Sequence, residues 1–276
     1  MSFWVRSATV RHGDVLALDD VSVTVDPGSV VVVVGGDGAG KTTLLRALVG
    51  ELVLERGSVR APAPQRIGYL TAAAGSWPAL TVRQNMDFVG GIYGLAGERL
   101  QQRREALLTR AGLTEAGDRL ASQLSGGMRR KLGFCMAMQH QPELLVLDEP
   151  TTGVDPVSRI DLWRLVSEAA AAGAAVLMST TYLDEAERAG SLLVLDGGRT
   201  LAEGSLADVR ATLVGSITVG DRPHRAPWAW RRGRRFHEWW RDSEQPPADV
   251  MAIEPDLEDV VVALSLQRRH EIGARR

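Results

Sequence analysis

The chain has 276 residues, 45% hydrophobic and 24% charged, the mixture of an ordinary globular protein with ample apolar material for a core. A net charge of −2 gives no bulk electrostatic reason for a nucleic-acid partner, and none is expected. One cysteine, Cys135, excludes an internal disulfide framework and fits a reducing compartment; in a helical stretch it reads as a buried, inert thiol. The opening Met1–Arg6 has no apolar h-region, and no stretch approaches the roughly 20 apolar residues needed to span a bilayer. The chain is therefore expected to be soluble by itself and to reach any membrane through a partner.

The first third reads as β-rich. Val21, Val23 and Val25 alternate with polar residues, the period of a half-buried strand. After the turn at Pro27-Gly28 comes Val30 to Val34, an uninterrupted β-branched run suited to a parallel strand buried on both faces. Helix follows from about Lys41 to Val49. Residues 81 to 140 read mostly as helix, with breaks near Gly90-Gly91, Gly97, Gly112 and Ser125 to Gly127. Strands at Leu144–Leu147, Ala174–Ser179 and Leu192–Leu195 then alternate with helices at Pro156–Ala172 and Tyr182–Ala189. Such alternation predicts a mainly parallel sheet with helices on its faces. From about Ile217 the composition shifts to arginine and tryptophan, closing on a short helical pattern near Leu257 to Leu266. A boundary is expected near residue 216, with a main domain over 2–216 and an accessory extension over 217–276.

The strongest local signal is Gly35, Gly36, Asp37, Gly38, Ala39, Gly40, Lys41, Thr42, Thr43, which satisfies G-x-x-x-x-G-K-[ST]. Its glycines let successive backbone N–H groups approach a polyphosphate without Cβ clashes. The loop runs from a buried strand into a helix N-terminus, where free amides and the dipole favour anions. Lys41 is a point charge for the β/γ-phosphates, and Thr42 offers a hydroxyl to Mg²⁺. Leu144 to Leu147 is an apolar strand that ends in Asp148 and Glu149. Asp148 is placed to hold the Mg²⁺ shell, and Glu149 to orient or deprotonate the attacking water. The cofactors are thus ATP and Mg²⁺, and the fold class is α/β, a P-loop NTPase core.

With Leu124-Ser125-Gly126-Gly127-Met128 shortly before the acidic strand, the sequence resembles ABC transporter ATPases, whose signature this is. The resemblance implies an antiparallel β subdomain at the N-terminus and an inserted helical subdomain over about 81–140. It implies that Ser125, Gly126 and Gly127 complete the ATP site of a facing second ATPase subunit, and that a transmembrane permease subunit is the membrane partner. Pro150 to Pro156 is similar to the family's D-loop, with Asp155 facing the partner, and Asp184 to Glu187 matches the helix after the switch position. Pro255 to Val260 resembles a segment of ABC-2-type drug exporters, and the chain as a whole resembles the N-terminal ATPase halves of tandem bacterial export ATPases. His12 occupies the place of an adenine-stacking aromatic, or is a surface histidine without a ligand role.

Two positions depart from the family's pattern. The glutamine usual after the strand Ile67 to Leu70 is replaced by Ala72, following Thr71, and Gln65 lies at the opposite end of that strand. The histidine usual after Ser179 and Thr180 is replaced by Thr181, whose hydroxyl can hydrogen-bond a phosphate but carries no proton charge near neutral pH. A degenerate site is expected, binding MgATP well and hydrolysing it slowly, inside a heteromeric or tandem pair rather than a homodimer. The expected place of work is the inner face of the cell membrane. The alternative is a soluble ABC-type ATPase or nucleotide sensor without a membrane partner.

In the tail, Arg222, Arg225, Arg231, Arg232, Arg234, Arg235 and Arg241 interleave with Trp228, Trp230, Trp239 and Trp240. The preferred reading is a small subdomain with tryptophans in its core and arginines on a solvated face. A surface near lipid headgroups or the permease, and an RNA-binding surface, are the two alternatives.

Overall fold

The computed structural model describes residues 1–73 and 75–274, with side chains as far as 271. In its N-terminal part β1 (Phe3–His12) turns through Gly13 into β2 (Val15–Val25), followed by β3 (Val30–Val34), α1 (Lys41–Leu48), β4 (Arg56–Arg60) and β5 (Ile67–Leu70). Three helices follow, α2 (Val82–Ile92), α3 (Gly97–Ala111) and α4 (Gly126–Met138). The chain then alternates through β6 (Leu144–Leu147), α5 (Pro156–Ala171), β7 (Ala175–Thr180), α6 (Leu183–Ala186), β8 (Ser191–Asp196), β9 (Arg199–Gly204) and α7 (Leu206–Ala211). The tail holds β10 (Ser216–Gly220), β11 (Ala229–Arg232), β12 (Arg235–Trp240), β13 (Met251–Ile253) and α8 (Leu257–Ala274).

The central sheet has the order β5-β6-β7-β3-β8-β9, parallel except for β9. The valine run of β3 lies between β7 and β8, and its alternation divides two cores. Val31 and Val33 face the antiparallel β2-β1-β4 sheet and α1, while Val32 and Val34 face the helical side. A strand flanked on both edges and both faces has no use for a polar residue, which explains the unbroken apolar run.

Two of these three helices begin at a cap written in the sequence, whereas α3 starts after Ala96 without one. Thr81 accepts from the Gln84 N–H in a capping box at α2, and Ser125 accepts from the Met128 N–H at α4. Asp155 does the same at α5, with Pro156 at the first helical position. The helix expected over Tyr182–Ala189 is one short turn, and turns follow from Glu187 to Gly190.

The tail forms a four-stranded antiparallel sheet of order β11-β12-β10-β13, strands too short for the sequence pattern to expose. Trp239 and Trp240 are buried and Trp228 and Trp230 half-buried, with Trp239, Ile217 and Ala263 forming a small core. Arg225 bonds Glu238 and Glu244, Arg232 bonds Asp256 and Glu258, and Arg222 pairs with Asp249. With Arg235 beside Asp221, four of the seven tail arginines have acidic partners within the chain. The final helix is longer than the expected Leu257 to Leu266, because its inward row continues. Leu257, Val260 and Leu264 enter the main core, and Gln267 and Arg268 extend that row half-buried.

Candidate nucleotide site

The phosphate loop leaves β3 at the carboxyl edge of the parallel sheet, the edge where such sheets bind ligands. Gly38 and Gly40 stand at φ of 76° and 102°, left-handed conformations that side chains resist. At Gly35 a Cβ would fall 2.4 Å from the Leu195 carbonyl oxygen, so only glycine lets the loop start there. Lys41 opens α1 and is 5% exposed. Its Nζ donates to the carbonyls of Gly35 (2.8 Å) and Gly36 (3.1 Å), folding the ammonium back over the loop.

Asp148 and Glu149 follow β6 on the next-but-one strand of the same sheet. Asp148 is 1% exposed and accepts from Thr42 Oγ1 at 2.9 Å and from Ser179 Oγ at 2.7 Å. Glu149 has φ of 48°, an uncommon backbone for a non-glycine residue and the kind of strain that collects at functional sites. Its N–H donates to Ser179 Oγ at 2.9 Å, its Oε2 accepts from Thr152 at 3.1 Å, and its Oε1 lies 3.3 Å from Lys41 Nζ. Thr42, Asp148, Lys41 and Glu149 are thus brought into one cluster. Buried alone, two adjacent carboxylates facing one ammonium would be costly. The set suits a hard divalent cation beside a polyphosphate, with Thr42 and Asp148 supplying the oxygen ligands.

The strand register brings the remaining loops to the same edge. Leu70 pairs with Leu147, and Leu147 with Met178, so the exits at Thr71-Ala72, Asp148-Glu149 and Thr180-Thr181 are side by side. Ala72 and Thr181 are both exposed there, while Gln65 sits exposed before the other end of β5. β7 runs one residue further than expected, to Thr180, whose buried hydroxyl donates to Glu185 Oε2 and accepts from the Tyr182 N–H. Arg130 of α4 reaches the Thr71 carbonyl at 3.3 Å. Burial lowers the pKa of its guanidinium, an effect opposed by Glu149 and Asp148 nearby. His12 ends β1 and its Nε2 lies 3.3 Å from Thr43 Oγ1, beside the phosphate-loop helix.

Ser125, Gly126 and Gly127 stand elsewhere. Ser125 caps α4, Gly126 and Gly127 pack on Gly153, Asp155 and Ser158 of their own chain, and a Cβ on Gly127 would meet Ser158 Oγ at 2.6 Å. Among the described residues no hydrogen bond joins them to residues 35–43. Ser125 and Gly126 are exposed, so the turn presents its free side outward.

Two structural parts of the site escape motif reading. Ser179 spans Asp148 and the Glu149 amide, and Glu185, 3% exposed, accepts from Thr151 at 2.7 Å and Thr180 at 3.0 Å. Glu185 thereby ties the segment after Glu149 to the end of β7. A Ser-Thr pair closing an apolar strand beside an acidic one was the available signal. Cys135 is fully buried with its thiol pKa pushed up to about 12 by burial, in keeping with an inert core residue.

The ABC transporter family profile matches residues 18–152. Over 229 residues the chain is 38% identical to the daunorubicin resistance ATP-binding protein DrrA3 of Streptomyces coeruleorubidus, covering 79% of this chain and 71% of that one. It is 37% identical over 218 residues to YbhF of Escherichia coli strain K12, a probable multidrug ABC transporter ATP-binding protein, covering 75% of this chain but only 38% of that one. A solved structure described as an ATP-binding subunit of an ABC transporter superposes with a TM-score of 0.70 at 27% identity, covering 76% of this chain and 92% of that one. ATPases of this family bind ATP with Mg²⁺, hydrolyse it, dimerise and work with a transmembrane permease. With 38% identity to DrrA3 across 79% of its length and the family profile over residues 18–152, the chain is a member of the ABC transporter ATP-binding family.

Proposed function

We propose that this chain is the ATP-binding subunit of an exporter whose transport pathway lies in a separate transmembrane subunit, and that its own site binds MgATP while turning it over slowly. Export is supported by the names of the relatives, one a daunorubicin resistance protein and one a probable multidrug transporter protein. No helix of the described residues is long and apolar enough to cross a membrane, which fits attachment to the membrane's inner face through the permease. The ATPase domain in this reading covers residues 2–216, and 217–276 is an extension packed against it.

The roles divide as follows. The amides of Gly36 to Thr43 and the Lys41 ammonium hold the polyphosphate, and His12 flanks the adenine side. Thr42 and Asp148 hold Mg²⁺, which when bound neutralises phosphate charge that would otherwise oppose an incoming nucleophile. Glu149 accepts a proton from water at its carboxylate once Lys41 has exchanged its 3.3 Å contact with Oε1 for phosphate. Ser125, Gly126 and Gly127 serve the site of a facing ATPase, and Asp155 meets that partner. Thr181 offers only a hydroxyl towards the γ-phosphate.

One observation carries the slow-turnover reading. The chain exits at positions 72 and 181 flank Asp148-Glu149 at the sheet edge, and alanine and threonine there hold neither a carboxamide nor an imidazole. Positioning groups are commonly worth several kcal/mol of barrier, at about 1.36 kcal/mol per tenfold in rate. Because the signature turn is intact, the module suits the regulatory half of a heteromeric or tandem pair. The test is steady-state ATP hydrolysis by the purified chain, with MgATP binding measured alongside and Lys41→Ala as background. Tight binding with turnover no higher than Lys41→Ala is expected. Robust turnover abolished by Glu149→Gln would refute the slow site, and cross-links found only within functional homodimers would refute the heteromer.

A further inference from the structure

The phosphate loop rests on a turn that the C-terminal helix holds from behind. Between β8 and β9 the chain reverses through Gly197 and Gly198, at φ of 50° and 77°. Gly198 N–H donates to the Ala39 carbonyl of the phosphate loop at 3.1 Å. The Gly198 carbonyl accepts from the Asp19 N–H of β2 at 2.8 Å, fixing the same residue to the antiparallel sheet. Packing is as close as the hydrogen bonding: a Cβ on Gly198 would fall 2.8 Å from the Ala17 carbonyl oxygen, and one on Gly40 2.6 Å from it. Arg199, the next residue, pairs with Asp19. One turn therefore sets where Ala39 and Gly40 stand, and with them the first amides of α1.

Two carbonyls of that turn point the other way, and both are taken by one side chain. Arg268 Nη1 donates to the Asp196 carbonyl, and Nη2 donates to the Gly197 carbonyl at 3.3 Å. Arg268 is half-buried, and no carboxylate pairs with it among the described residues. Its guanidinium is thus spent on backbone. Its height on α8 is fixed from both sides, by Leu257, Val260 and Leu264 in the main core and by Ala263 in the core of the tail sheet. At the start of the same helix, Asp259 accepts from His237 at 2.7 Å, tying α8 to β12.

We propose that Arg268 is a positioning residue for nucleotide binding, and that through it the C-terminal extension holds the phosphate loop in its binding-competent form. A planar guanidinium suits this task, since its fork spans two neighbouring carbonyls that a lone ammonium would engage singly. Without it the two glycines lose their outer restraint, the turn samples other conformations, and Ala39 loses a fixed partner. Nucleotide affinity then falls by the fraction of time the loop is misplaced. The residue lies behind the loop and touches no phosphate, so its effect belongs to binding more than to the chemical step. The proposal rests on ATP binding at residues 35–43.

The test uses the full chain with Arg268→Ala, Arg268→Met and Arg268→Lys, measuring MgATP affinity by calorimetry, thermal midpoint, and hydrogen exchange of the unliganded protein. Arg268→Ala and Arg268→Met are expected to weaken MgATP by about tenfold, as when the competent population falls to about a tenth. Exchange should rise in peptides covering 36–41 and 196–200 and nowhere else, and Arg268→Lys should recover part of the affinity. Wild-type affinity in the Ala and Met variants would overturn the proposal. So would a loss of affinity accompanied by faster exchange across the whole sheet, which would mean that α8 merely stabilises the fold. Failure of the wild-type chain itself to bind, with Lys41→Ala no different, would instead remove the nucleotide reading on which the proposal stands.

Discussion

Replacing Ser179 by alanine tests the geometry of the acidic pair most directly. The hydroxyl is fully buried, donates to Asp148 Oδ1 at 2.7 Å and accepts from the Glu149 N–H at 2.9 Å. Its removal deletes one hydrogen bond to a buried charge, worth about 1.5–3 kcal/mol, and leaves a part-buried amide without a partner, at about 1 kcal/mol more. Asp148 keeps its bond to Thr42 at 2.9 Å, so the carboxylate is not orphaned, and the expected cost is about 2–4 kcal/mol. For a chain of this size, at about 2–4 °C per kcal/mol, that is a fall in thermal midpoint of about 4–16 °C. The functional effect is separable, because the freed Asp148 should hold Mg²⁺ less well. ATP affinity with Mg²⁺ should then fall towards its value in EDTA, while affinity in EDTA stays near wild type. A variant that melts within about 1 °C of wild type and keeps the full Mg²⁺ dependence would show that Ser179 does not organise the pair.

Two further outcomes are expected. Restoring both missing groups, with Ala72→Gln and Thr181→His together, should raise steady-state turnover by at least about tenfold over the parent chain, the size of about 1.4 kcal/mol of barrier. Cys135, with a pKa near 12, carries about one thiolate in ten thousand at pH 8 and is fully buried, so the native protein should resist thiol reagents there. Full labelling after denaturation, against none before it, is the check, and fast native labelling would contradict the burial.

The parts of the molecule legible in the sequence are those where chemistry and local conformation coincide. The valine run of β3, the apolar strand ending in Asp148, and the glycines of the phosphate loop all state their surroundings by composition, and the caps at Thr81, Ser125 and Asp155 state where helices start. Contacts between backbone groups distant in sequence leave no such trace. The Gly198 N–H to Ala39 bond and the Arg268 grip on two carbonyls need a fold before they exist, since any arginine could make them. The tail illustrates the same limit. Its arginine-tryptophan interleaving favours a small core but leaves lipid and RNA open, until the pairing of β10 with β12 puts Trp239 inward. Four short strands separated by turns offer too few residues each for period-two alternation to stand out.

The distribution of what the site keeps and lacks has a physical reason. The binding half is built into the fold: Gly35 fits because a Cβ would strike Leu195, Lys41 is buried on its own loop, and Asp148 bonds a helix and a neighbouring strand. Loss of any of these would cost stability as well as nucleotide. Positions 72 and 181 are exposed at loop ends, where substitutions usually change stability by less than about 0.5 kcal/mol. The fold of this chain therefore does not demand a glutamine and a histidine there, and alanine and threonine are accommodated at little cost to stability. The signature turn obeys a third logic. Gly127 is fixed by its fit against Ser158, but Ser125 and Gly126 face outward and gain little for their own chain beyond a helix cap. Under the proposed function, these outward-facing residues beside Ala72 and Thr181 suit a subunit that completes a site on another.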